Sequence, residues 1–242
     1  MELTVAGAGV DVEAQVHGEG PAVVLIHDMA DGPERLAALA AGLARPAQVI
    51  TYARRGYRGS GAPDPYTGTT VAEQAEDAAA LIRALDAAGA VALGEGFGAL
   101  IVLDLLLRHS GLLSGAVLVD PPLYAFAPET TRDLAQERGE IEEAIEAHGP
   151  AGGVETWLRA RPGRDAELAA RDHHAFYADY AGLATLPLTR GQLRAVREPL
   201  VLLTGADSTS AARHAADAVA ALPANVLRHD HGDRVAALDL LR

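Results

Sequence analysis

The stretch Val91-Ala-Leu-Gly94-Glu95-Gly96-Phe97-Gly98-Ala-Leu-Ile-Val-Leu103 constrains the fold of this chain more than any other. An apolar run of strand length ends in a glycine cluster, and a long apolar helical pattern starts at once. Gly94 and Gly98 stand four apart around a central residue, the spacing of the G-x-S-x-G elbow that turns a strand sharply into a helix. Small flanking residues are required because the strand and helix backbones nearly touch there. The central residue is Gly96, which has no hydroxyl. The chain therefore has the form of a nucleophile elbow without its nucleophile.

The pattern on either side of the elbow alternates between strand and helix. Residues 3–5 and 10–16 alternate apolar and polar as half-buried strands do, and residues 22–26 form a continuous apolar strand of the kind buried in a parallel sheet. Pro33 opens a helix to about Ala44, with Leu36, Leu39 and Leu43 on one face. A strand at 48–52, a polar glycine-rich loop at 54–61, a helix at 70–88 and a strand at 115–119 continue the series. From Leu123 to about Glu198 the alternation stops, and helices at 129–148, 154–161 and 165–180 are separated by Gly and Pro. Residues 199–204 restore the sheet, and helix 211–222, strand 225–228 and helix 234–241 close the chain. The pattern predicts an α/β fold with a mostly parallel sheet of about eight strands and helices on both faces. Residues 1–122 and 199–242 make the core domain, and residues 123–198 a helical cap.

Composition narrows the function classes. The 242 residues suit one domain with an insertion, large enough for a substantial core. The N-terminus lacks the basic and apolar regions of a secretory signal, which predicts a cytoplasmic protein. No apolar run reaches the roughly 18 residues of a membrane span. With no cysteine, disulfides and thiolate chemistry are absent. A net charge of −13 disfavours nucleic acid. All 20 basic residues are arginine, so no lysine Schiff base can form. The predicted partner is a small molecule, with a homodimer left open. No metal or cofactor is predicted. His229-x-His231 is only a two-ligand fragment, and Gly94-x-Gly96-x-Gly98 is not the dinucleotide pattern.

This order of elements resembles the α/β-hydrolase fold over nearly the whole chain, most weakly in the cap. The residues that carry the resemblance are Leu25-Ile-His27, Arg55-Gly56-Tyr57 with Gly59-Ser60, the Gly94–Gly98 elbow, Val119-Asp120-Pro121, and Leu203-Thr-Gly205-Ala-Asp207. The resemblance implies roles position by position. The serine place falls on Gly96. Making Glu95 central would put Leu93 and Phe97 where glycines are required, so Glu95 reads as scaffold, and Ser60 and Ser114 lack an elbow. The histidine place falls on Asp233, with His231 as a substitute if the loop is rearranged. Asp120 and Asp207 both fit the family acid.

The implied oxyanion hole uses the backbone N–H groups of Met29 and Phe97, which side-chain changes do not delete. His27 leads into that loop. Asp28 stands where the family usually has a small residue, and a carboxyl beside the hole suits a general acid or base. The alternative is a cap on the helix near Pro33. His173 and His174 lie on a cap helix, about 100° apart, so at most one faces a pocket; a surface pair is the alternative.

Three functions follow from this pattern. The leading one is a cofactor-free, non-hydrolytic catalyst (a cyclase, isomerase or lyase) that uses the oxyanion donors and carboxylates on a small apolar or oxygenated molecule. The second is a silent homologue that binds a small molecule or a partner protein. The third is a hydrolase with a relocated triad or directly activated water. An open pocket is expected of the first, a pocket filled by side chains of the second.

Overall fold

The computed structural model describes residues 1–109, 111–222 and 225–241; Arg242, the last residue of the expected core segment, lies outside them. Eight strands form: β1 (Glu2–Ala6), β2 (Asp11–His17), β3 (Ala22–Ile26), β4 (Gln48–Tyr52), β5 (Ala90–Glu95), β6 (Leu113–Val119), β7 (Leu200–Leu203) and β8 (Val226–His229). They make one sheet in the order β1-β2-β4-β3-β5-β6-β7-β8. The β1–β2 and β2–β4 pairs are antiparallel and the others parallel. Side chains of a strand alternate between faces. Val24 and Ile26 of β3 accordingly join one apolar core, and Val23 and Leu25 join the other.

Helices cover both faces. α1 (Ala37–Leu43) packs on one side; α2 (Val71–Ala84) and α3 (Phe97–Arg108) pack on the other. Residues 33–36 form a 3₁₀ turn ahead of α1 rather than the start of one longer helix. Thr70 and Glu73 cap α2 reciprocally, the Glu73 N–H bonding the Thr70 hydroxyl at 3.1 Å and the Thr70 N–H the Glu73 carboxylate at 2.8 Å. The helix stops short of the expected Ala88 because Asp86 takes φ +49°. α3 is buried on nearly every side, which explains its unbroken apolar sequence.

Between β6 and β7 the chain inserts α4 (Thr131–Leu158), α5 (Ala166–Arg171), α6 (His173–Gly182) and α7 (Arg190–Ala195). The first two expected helices run on within α4 but are separated, as expected after His148, by the non-helical backbone of Gly149 (φ 73°, ψ −176°) before Pro150. One expected helix is two, divided at Asp172. The short α7 was not expected. Helices α8 (Ser210–Ala220) and α9 (Arg234–Asp239) complete the chain. No helix among the described residues is long and apolar enough to cross a membrane.

The insertion is tied to the core by an ion pair with no solvent exposure on either side. Arg54, before the glycine-rich loop, meets Asp179 of α6 through two bonds of 2.6 and 3.1 Å. Gln74 and Tyr57 donate to the same carboxylate at 2.6 and 2.7 Å. Buried charge is tolerable here because the remaining lone pairs are satisfied.

Candidate functional site

The loops that follow β3, β5, β6, β7 and β8 converge at the carboxyl edge of the sheet, where open α/β folds place their ligands. Under the helical insertion they bound a cavity of about 920 Å³. Its walls include Leu100, Leu123, Phe126, Leu134, Trp157 and Leu186.

The elbow forms as its glycine spacing requires. A Cβ at Gly94 would overlap the Gly98 carbonyl, and one at Gly98 the Ile26 carbonyl. Gly96 takes φ 51° and ψ −116°. A Cβ there would overlap the carboxylate of Asp28. Asp28 Oδ1 accepts hydrogen bonds from the Met29 and Phe97 N–H groups, both at 2.8 Å. Arg164, from the loop between α4 and α5, donates to Oδ2 at 2.7 Å. The donors expected to await a substrate oxygen are therefore occupied by the protein's own carboxylate. Gly96 leaves the space for it. Asp28 does open into the cavity with Gly96 and Phe97, but it sits on the oxyanion donors rather than beside them. Nor does it cap the Pro33 turn, whose leading residue has no side-chain cap.

The acids around it are paired with arginines. Arg164 also lies 2.9 Å from the Asp31 carboxylate and 2.9 Å from the Met29 carbonyl. Arg35 lies 3.2 Å from Asp31 and 3.8 Å from Glu95, and donates to the Gly163 carbonyl at 2.6 Å. Arg234 of α9 bonds Glu95. Burial, helped by the Asp28 and Glu95 charges, pushes the Asp31 carboxyl up to about 7, against the pull of Arg164 and Arg35.

His27 does not line the cavity. It is buried, with Nε2 accepting from the Arg54 N–H at 3.0 Å and Nδ1 2.7 Å from the Asp28 carbonyl, which fixes the proton on Nδ1. Burial first, then the Arg54 charge, holds its pKa well below the ordinary value. Its neutral ring props the loop.

A different arrangement stands at the ends of β6 and β7. Asp120 takes φ +46°, a strained value for a residue with a side chain. Its Oδ1 accepts from the Ser208 hydroxyl at 2.5 Å, and Ser208 Oγ in turn accepts from the Gly205 N–H at 2.7 Å. Burial raises the Asp120 pKa, with the Ser208 hydrogen bond opposing. Asp120, Asp207, Ser208 and His231 all line the cavity, Asp207 at its exposed rim.

Other expected positions fall elsewhere. Asp233 lies outside the cavity lining and caps α9, accepting from the Val235 and Ala236 N–H groups at 3.0 Å each. His231 Nδ1 accepts from the Asp233 N–H at 2.9 Å, and its ring stacks 5.0 Å from His229. His173 bonds the Ala170 carbonyl, His174 is exposed, and neither reaches the cavity. The structure thus gathers Asp28, Met29, Glu95, Gly96, Phe97, Asp120, Asp207 and His231, and leaves His27, His173, His174 and Asp233 outside. Among the described residues no three His, Asp or Glu side chains are grouped as a metal would require.

Sequence reasoning missed Arg164, Asp31, Trp157 and Ser208. Only Ser208 carried a local signal, a hydroxyl directly after a family acid position and just before a helix.

Comparison with known proteins places this geometry among relatives. A family model described as "Alpha/beta hydrolase family" matches residues 23–238. The "Uncharacterized hydrolase YraK" of Bacillus subtilis (strain 168) is 33% identical over 101 residues, which span 42% of this chain and only 37% of that protein. The esterase EaEST from Exiguobacterium antarcticum superposes with a TM-score of 0.79 at 17% identity, covering 100% of this chain and 97% of the other. A putative aryl esterase from Burkholderia cenocepacia gives 0.77 at 22% identity, covering 96% and 90%. At these identities the two structures speak for the fold alone.

Proposed function

This chain belongs to the alpha/beta hydrolase family, and we propose that it receives a neutral, largely apolar small molecule in the cavity beneath its helical insertion, with no covalent step at the elbow. The observation that carries this reading is the Asp28 carboxylate, held by Met29 N–H, Phe97 N–H and Arg164. An acyl-enzyme at residue 96 needs a hydroxyl, and its tetrahedral oxyanion needs those two amides. Neither is on offer. A non-hydrolytic catalyst that steadies an oxyanion at the same amides loses its main source of stabilisation for the same reason.

The cavity above is open rather than filled, and its volume falls within the range of small-molecule sites. Each arginine near the elbow already has an acid partner, so an anionic ligand would have to break existing pairs. That favours a neutral ligand. Neutral esters fit such a cavity, and they are the first class to test because structures sharing the fold are named esterases.

Trp157 is the only tryptophan of the chain and lines the cavity. Titration with hexanophenone, a neutral ketone mimic of an aryl ester, is expected to change its emission saturably. Native mass spectrometry of freshly purified protein should also reveal a bound small molecule. No saturable change with hexanophenone or with phenyl hexanoate would sink the reading.

A further inference from the structure

The geometry points to Ser208 and Asp120 as a relocated hydrolytic pair, one serine nucleophile and one carboxylate base, acting on an ester held in the same cavity. This rests on the cavity reading above and adds a reaction to it. With the family's chemistry at the elbow closed, a hydrolytic reaction in this cavity would take its nucleophile from elsewhere on the wall. A nucleophile and its base must lie within hydrogen-bond reach. Ser208 Oγ and Asp120 Oδ1 are 2.5 Å apart, and both residues line the cavity. The Gly205 N–H, 2.7 Å from Oγ, fixes the hydroxyl so that its proton points to Asp120.

Asp120 differs from the other acids of the floor. Asp28, Asp31 and Glu95 each have a guanidinium partner; among the described residues Asp120 has none. Its carboxylate keeps the capacity to take a proton, and burial raises that capacity. Its backbone takes φ +46°, a strained conformation of the kind held at functional sites.

Ser208 also lies one residue before Thr209, the N-cap of the 11-residue helix α8, whose N-terminal end borders the cavity through Thr209 and Ala212. The Thr209 hydroxyl accepts from the Ala212 N–H. Among the described residues the first-turn amides of Ser210 and Ala211 have no partner. Neither residue lines the cavity, so α8 contributes the positive end of its dipole at this wall, which favours negative charge developing on a substrate oxygen.

The step balances without a further reagent. Ser208 Oγ bonds to the ester carbonyl carbon as its proton passes to Asp120. The tetrahedral intermediate then breaks its C–O bond to the leaving alcohol, which takes that proton from Asp120. Water cleaves the acyl-Ser208 ester by the same route, giving one proton to Asp120 that returns to Ser208 Oγ.

An alkyl fluorophosphonate probe followed by peptide mapping tests the pair on the unmodified protein. Phosphonylation of Ser208, with loss of fluoride, is expected near one equivalent. Its rate should rise with pH as Asp120 ionises. Asp120→Asn removes the base and tolerates positive φ, so labelling should slow about 10²-fold or more. Ser208→Ala should abolish it, together with turnover of 4-nitrophenyl butyrate. Hexanophenone binding is measured on each protein. Binding without labelling of Ser208 overturns the pair and leaves the cavity reading standing. Loss of both overturns both. Labelling at another serine, or an unchanged rate in Asp120→Asn, also overturns it.

Discussion

The two ends of the cavity floor use a carboxylate in opposite ways. At the elbow, Asp28 accepts from two amides and a guanidinium. At the β6–β7 end, Asp120 accepts from one hydroxyl and has no arginine partner among the described residues. Both residues follow a strand at the same edge of the sheet, and both meet the same cavity. The difference lies in what surrounds them. A carboxylate with its lone pairs filled by fixed donors is part of the frame, whereas one with spare acceptor capacity can take a proton. The absence of a side chain at Gly96 makes the first arrangement sterically feasible. A glycine at the centre of the elbow does more than leave out a hydroxyl: it makes room for the acid that takes the Met29 and Phe97 amides.

The comparison breaks most sharply at Gly96. Gly96→Ser forces a Cβ into the Asp28 carboxylate at a left-handed φ. Overpacking and backbone strain together should cost about 3–5 kcal/mol, a melting temperature lower by roughly 10 °C in a chain of this size. Asp28→Gly in the same chain should recover more than half of that loss, because it removes the colliding group. Additive losses in thermal melts would show that the two residues do not share the space.

Arg164 comes next. Arg164→Met strips the partner from Asp28 and one partner from Asp31, both buried, and should cost about 2–3 kcal/mol in denaturant unfolding. Arg164→Lys should restore little, since a single ammonium cannot reproduce the contacts to both carboxylates and the Met29 carbonyl. Full stability in Arg164→Lys would reduce the contact to a general charge effect.

A smaller effect depends on pH. The raised Asp31 value, about 7, means that the folded protein keeps a proton the unfolded chain releases near 4. The stability linked to that proton is complete below pH 4 and is lost as pH rises through 7. Between pH 5 and pH 7 the wild type should lose up to about 2 kcal/mol. Asp31→Asn should flatten the slope, and parallel urea midpoints in the two proteins would contradict it.

The smallest change sharpens the contrast from outside the cavity. Asp233→Ala should cost about 1 kcal/mol through the lost α9 cap and leave the labelling rate of Ser208 within twofold. A tenfold drop in that rate would return Asp233 to the reacting groups.

Much of this molecule is legible in its sequence. The glycine spacing of the elbow and the apolar runs of β3 and β5 are local patterns, and each formed where the residues placed it. A boundary went astray where the backbone geometry turns on one residue, as at Asp86. At the site, the sequence supplied the address of Asp28 and of the two amides but not their union. Ser208 went unnoticed because its partner lies 88 positions away.

The sequence by itself determined the strand–helix order, the sheet edge where a ligand would sit, and a glycine rather than a hydroxyl at the centre of the elbow. These follow from periodicity and glycine spacing, which repeat over a few residues and leave a trace in any short window. Tertiary structure alone decided that Asp28 takes the Met29 and Phe97 amides, that Arg164 secures it across a separation of 136 residues, that Arg54 meets Asp179, and that Asp120 is left to Ser208. Whether a charge is paired or free depends on which distant side chains packing brings within about 3 Å, and no periodic pattern along the chain records that distance.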